Sequence, residues 1–219
     1  MDKEENEIEG EKEREEEEEE EAEGEDDIVE IKSILLGETG VGKTNLANSV
    51  IDLGFDPNSK TTVNNLYIQK KMNILGKEYE IRLWDTAGQE KYRALTKLFY
   101  KDTKVAVFVY DITNKKSFKE LHYWINEIKE SLGEEPVLGM VGNKSDLDEL
   151  KEVEDEEAKK FAEEYNMQFI LLSIKEDPIS FKNFLGNLCK EYIMKKGFTI
   201  EKHSFELDKD QSMNNHGSC

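Results

Sequence analysis

From residue 30 onward, short apolar runs alternate with amphipathic stretches. The stretches 30–36, 65–75, 78–84, 105–110, 136–142 and 167–172 predict strands, with Ile31 to Leu36 short and apolar as a buried strand is. The stretches 43–53, 90–101, 115–131, 154–165 and 179–195 predict helices. The third of these carries Phe118, Leu121, Ile125, Ile128 and Leu132 at i, i+3/i+4 spacing, an amphipathic stripe. Leu75-Gly76-Lys77 is a turn between neighbouring strands, so the second and third strands should form a hairpin. Elsewhere strands alternate with helices, which predicts a parallel sheet covered on both faces. The expected fold is α/β: a doubly wound, mostly parallel six-stranded sheet with helices on both faces, occupying residues 30–196. Residues 197–219 are polar and aperiodic, and predict a flexible tail.

Composition changes the picture mainly at the N-terminus. Residues 1–27 hold fifteen Glu and three Asp against two Lys and one Arg, which is −15 of the chain's −20. Such a run repels itself and has nothing to bury, so residues 1–29 are expected to form a disordered acidic arm. The arm serves either as a solvated tail or as a contact for a basic partner. The acidic balance argues against nucleic-acid binding through bulk charge. A basic, then apolar leader is not seen, nor is an apolar run of membrane-spanning length. Cys189 and Cys219 make no disulfide framework, and His122, His203 and His216 give no zinc spacing. The expectation is a cytoplasmic monomer.

The most informative stretch is Gly37-Glu38-Thr39-Gly40-Val41-Gly42-Lys43-Thr44. It fits G-x-x-x-x-G-K-[ST], between a predicted strand and a predicted helix. Glycines let the backbone wrap a phosphate, and the helix N-terminus adds positive potential there. Lys43 is placed to reach the β- and γ-phosphates and the Thr44 hydroxyl to bind Mg²⁺.

Two further motifs end later strands. Asp85 closes the third and can hold Mg²⁺ through water; Gly88 lets an N–H approach a γ-phosphate, and Gln89 can orient an attacking water. Asn143-Lys144-Ser145-Asp146 closes the fifth. The Asp146 carboxylate can accept from both guanine N1–H and the exocyclic N2 amine, whereas adenine presents it a lone pair. Sites of this kind reject the mismatched ligand by factors of about 10⁴ or more.

With these motifs in register, residues 30–196 resemble a Ras-superfamily small GTPase, a P-loop NTPase G domain, most like the Rab branch. Lys91 to Thr96, Phe99 to Asp102 and Phe108 to Thr113 carry the Rab resemblance. It implies GTP/GDP and Mg²⁺ as ligands, with Gln89, Lys43 and Thr62 as catalytic residues. Thr62, eighteen positions after Thr44, then matches the threonine that joins Mg²⁺ only when a γ-phosphate is present. Phe55 matches an aromatic at the guanine edge, and Ser173-Ile174-Lys175 a guanine loop. Tyr67, Trp84 and Phe99 match aromatics that face effectors. Implied partners are an exchange factor, a GTPase-activating protein supplying an arginine, and effectors on the switch loops. Cys219 offers one prenylation site, giving at most weak attachment to the cytosolic face of an endomembrane.

The chain departs from the family at several positions. Val63-Asn64 replace Ile-Gly after Thr62, Ile174 replaces Ala, Leu171 replaces Glu, and Thr39 stands where Gly, Ser or Ala is usual. The expected activity is slow GTP hydrolysis within a switch that regulates vesicle traffic. The alternative is a guanine-nucleotide-binding module with negligible hydrolysis, acting as a constitutive scaffold. An ATPase or nucleoside kinase is disfavoured by Asp146.

Overall fold

A computed structural model describes residues 28–57, 66–86, 100–132 and 135–214, with backbone alone from Phe198 on. The six strands are β1 (Val29–Leu36), β2 (Leu66–Ile74), β3 (Lys77–Asp85), β4 (Val105–Asp111), β5 (Val137–Asn143) and β6 (Gln168–Leu171). The helices are α1 (Lys43–Val50), α2 (Lys115–Lys119), α3 (Leu121–Ser131), α4 (Asp155–Glu164) and α5 (Pro178–Asn214). The sheet runs β2-β3-β1-β4-β5-β6. Only β2 is antiparallel, pairing with β3; the other four pairings are parallel.

Strand β4 shows why the sheet is covered on both sides. All seven of its residues are buried, and successive side chains point to opposite faces. Val105, Val107 and Val109 enter a core with Leu46, Ala47 and Val50 of α1 and Phe181, Leu185 and Leu188 of α5. Ala106, Phe108 and Tyr110 enter a second core with Phe118, Leu121, Trp124 and Ile125 of α2–α3 and Ala158 and Phe161 of α4. A continuous apolar run is what a central parallel strand requires.

Element boundaries differ from the sequence expectation in three places. Helix α1 ends at Val50 rather than 53, and Asp52 then takes a left-handed φ of 62°. The 115–131 stretch divides at Glu120 into α2 and α3, with Asn114 capping α2 through bonds from the Lys116 and Ser117 N–H groups. Helix α5 continues to Asn214, past the expected end at 195 and through most of the stretch expected to be a flexible tail. The predicted helix 90–101 and the acidic segment 1–27 lie outside the described residues, Tyr100 and Lys101 excepted. The hairpin turn forms as expected, with Leu75 and Gly76 both at positive φ, the pairing a tight two-residue turn needs.

Candidate functional site

The C-terminal ends of β1, β3, β4 and β5 converge with the β6–α5 loop, where ligands bind in open α/β sheets. A cavity of about 520 Å³ lies there, within the size range of small-molecule sites. Its walls include Thr39, Gly40, Lys43 and Thr44 from the β1–α1 loop and helix start, and Asp146, Ser173 and Lys175 from the loops after β5 and β6.

The β1–α1 loop is shaped by its backbone. Gly42, at φ 102°, is the residue before α1, and a Cβ there would overlap the Asn143 amide. No side chain caps α1, and the positive end of its dipole lies at this loop. Lys43 is 5% exposed and folds back over the loop, donating to the carbonyls of Gly37 and Glu38 at 2.8 Å each. Burial lowers its pKa to about 8, against the opposing pull of Asp85 and Glu38. The loop thus holds a cation that is costly to keep charged without an anion beside it.

Thr44 and Asp85 meet at the floor. The Thr44 hydroxyl donates to Asp85 Oδ2 at 2.7 Å, and Asp85 is 2% exposed. A hydroxyl and a carboxylate on rigid elements are hard oxygen donors of the kind Mg²⁺ takes together with water and substrate phosphates. The donor set therefore fits Mg²⁺.

At the other end the Ser173 hydroxyl donates to Asp146 Oδ1 at 2.7 Å. Lys175 Nζ lies 3.6 Å from Asp146 Oδ2. The Ser173 bond is the largest cause holding the Asp146 carboxyl below its ordinary pKa, so it stays an acceptor at neutral pH. Asn143 is 1% exposed and bridges the two halves of the site. Its Nδ2 donates to the Val41 carbonyl at 2.8 Å, and its Oδ1 accepts from the Ile174 N–H at 3.3 Å. Lys144 adopts a left-handed φ of 67° and donates to Asp111 Oδ2 at 2.5 Å.

Gly40, Gly42, Lys43, Thr44, Thr39, Phe55, Asn143, Lys144, Asp146, Ser173, Ile174 and Lys175 all line one cavity. Gly37, Glu38 and Val41 stand behind it, supplying the carbonyls that Lys43 and Asn143 grip. Asp85 sits beneath Thr44. Thr62 falls in 58–65, and Gly88, Gln89, Arg93 and Phe99 in 87–99, outside the described residues, as does Cys219. Ile174 belongs to the core shared with Phe181 and Leu185, and Leu171 packs against the opposite core. Both departures from the family are thus absorbed by apolar packing. Tyr67 and Trp84 stack with ring centroids 5.0 Å apart.

Three contributors were missed in the sequence. Asn45 lines the cavity and binds the Asp56 backbone at both amide ends. The Thr86 hydroxyl donates to the Leu35 carbonyl at 2.6 Å, tying the end of β3 to that of β1. Asp111 takes Lys144 on one oxygen and both the N–H and hydroxyl of Thr113 on the other. Thr86 directly follows Asp85 and Asp111 ends an apolar strand, so position hinted at both; Asn45 is one polar residue among several on α1 and carried no signal.

Comparison with known proteins agrees with this geometry. The Ras family model matches residues 32–192. Ras-related protein Rab-21 of Homo sapiens is 39% identical over 162 residues, covering 74% of this chain and 72% of that protein. Rab-21 of Geodia cydonium is 39% identical over 148 residues, 68% of this chain and 65% of that protein's length. Ras-related protein RGP2 of Oryza sativa subsp. japonica is 39% identical over 145 residues, 66% and 67% of the two chains. This chain therefore belongs to the Ras superfamily as a Rab-like small GTPase.

Proposed function

We propose that this protein is a guanine-nucleotide switch that binds GTP and GDP with Mg²⁺ and hydrolyses GTP slowly when alone. The observation that carries the reading is the pairing, in one cavity, of a phosphate loop with an ionised Asp146 carboxylate held by Ser173. Lys43 and the α1 N-terminus favour phosphate, and Asp146 selects guanine. Thr44 holds Mg²⁺ directly and Asp85 through water, and the metal neutralises phosphate charge. Thr62 and Gly88 engage only the triphosphate form, so hydrolysis releases both loops, and Gln89 orients the attacking water.

The partners follow from that cycle. An exchange factor opens the cavity, an activating protein supplies an arginine, and effectors read the switch loops beside Tyr67 and Trp84. The role that follows from the Rab resemblance is regulation of vesicle traffic on the cytosolic face of an endomembrane. Cys219 contributes weak, reversible attachment at most. Among the described residues no helix is long and apolar enough to cross a membrane.

The deciding experiment is a competition titration of GDP, GTP, ADP and ATP against the purified chain in Mg²⁺. Guanine nucleotides should win by about 10⁴ or more. Equal affinity for ATP and GTP would remove the reading.

A further inference from the structure

Asn45 is the third residue of α1 and only 8% exposed. Its side chain spends both ends on one backbone residue across the cavity mouth. Oδ1 accepts from the Asp56 N–H at 3.0 Å, and Nδ2 donates to the Asp56 carbonyl at 3.2 Å. A two-point closure fixes orientation as well as position, which a single bond does not. The side chains of the segment before Asp56 are largely exposed. Leu53 is 55% exposed and Phe55 39% exposed, and a Cβ on Gly54 would meet no atom within 4 Å. At its start, Asp52 is gripped by Lys70 at 2.8 Å and Lys182 at 2.7 Å. The Leu53 N–H also donates to the Asn48 carbonyl at 3.0 Å, so the start of the segment is tied to α1 and its cavity end is held by Asn45. Phe55, Asp56 and Pro57 all line the cavity.

We infer that Asn45 is a positioning residue that holds Phe55 as a wall of the nucleotide cavity and thereby sets how fast nucleotide leaves. This rests on the guanine-nucleotide reading. Asn45 acts through Phe55: without the clamp the aromatic wall swings on the Gly54 hinge and the ligand escapes before the rest of the site loosens. Base choice remains with Asp146.

The test is release of a fluorescent GDP analogue from the full-length chain in Mg²⁺, chased with excess GDP. Asn45→Ala should speed release about tenfold, the size expected for losing one clamp of this kind. Ala is favourable in a helix, so α1 should persist. Asn45→Asp keeps the acceptor for the Asp56 N–H and loses the donor, so its rate should fall between. Phe55→Ala should speed release by itself, and adding Asn45→Ala should then change it by less than about twofold. Amide hydrogen exchange at residues 53–57 should rise in Asn45→Ala with GDP still bound. Multiplying rates in the double variant, or an unchanged rate in Asn45→Ala, would overturn the inference while leaving guanine binding intact. A wild-type chain that retains no guanine nucleotide would overturn both readings.

Discussion

Ser173 donates its hydroxyl to Asp146 Oδ1 across 27 positions of sequence. That bond lowers the carboxyl pKa below its ordinary value and fixes its orientation, so the proposed base recognition rests on a pair. Asp146→Asn should shift preference from guanine toward xanthine nucleotides, because an amide can donate to the oxygen that replaces the N2 amine. Ser173→Ala should weaken GDP binding by about tenfold without changing the preferred base, one charge-assisted bond having been lost. Titration with GDP and XDP checks both. Wild-type GDP affinity in Ser173→Ala would show that Asp146 is oriented without it.

Lys43 gives a pH signature with a definite sign. Its folded value of about 8 lies below the 10.5 of an ordinary lysine. Between these values the unfolded chain holds a proton that the folded chain has lost, so folding stability should rise with pH across that window. Nucleotide binding runs the other way. Phosphate charge raises the lysine pKa, so binding takes up a proton above pH 8. GDP affinity should fall by up to about tenfold per pH unit there. Calorimetry in buffers of different ionisation enthalpy, near pH 9, measures the proton. No uptake would remove Lys43 from the phosphate contact.

With Thr44 and Asp85 as the proposed Mg²⁺ ligands, their hydrogen bond should tie metal binding to stability. Chelating Mg²⁺ should speed GDP release from the wild type, and Thr44→Ala should release nearly as fast with Mg²⁺ present as without it. The same substitution takes the hydroxyl from a carboxylate that is 2% exposed. It should destabilise the chain by about 1–3 kcal/mol, read as a lower denaturation midpoint. A Thr44→Ala chain that still responds fully to chelation would place the metal elsewhere.

How far the sequence could be read follows from how local each feature is. All six strands appeared within two residues of their expected limits, because turns and loops bound them and apolar residues recur along them. The phosphate loop and the Asp146 motif were legible as consecutive residues in the right context. What stayed hidden depends on partners distant in sequence. Asn45 meets Asp56 eleven positions on, Thr86 meets Leu35 over 51 positions, and Lys144 meets Asp111 over 33. Asn143 was legible as a site residue, but not as the brace joining Val41 to Ile174. The end of α5 was misplaced for another reason. Beyond residue 195 the apolar stripe fades, and periodicity was the only guide to its length.

The supply of arginine argues for slow hydrolysis. The chain has three: Arg14 in the acidic arm, Arg82 in β3, and Arg93 after Gln89. Arg82 is committed to Glu30 and Glu80, and among the described residues no arginine lines the cavity. None lies between Gly54 and Thr62, where a finger in cis would have to sit. GTPases lacking such a finger turn over near 10⁻⁴ per second and those with one near 10⁻². Thr39 is exposed at the cavity wall, and its methyl should crowd the water that Gln89 is proposed to orient, lowering the rate further. A partner's arginine therefore has up to about 10⁵-fold to add. Gln89→Leu should abolish the residual activity, and Thr39→Gly should raise it by relieving the crowding. Single-turnover hydrolysis by the purified chain in Mg²⁺ measures all three. A partner-free rate near 10⁻² per second would refute the missing finger and require a catalytic group within the chain itself.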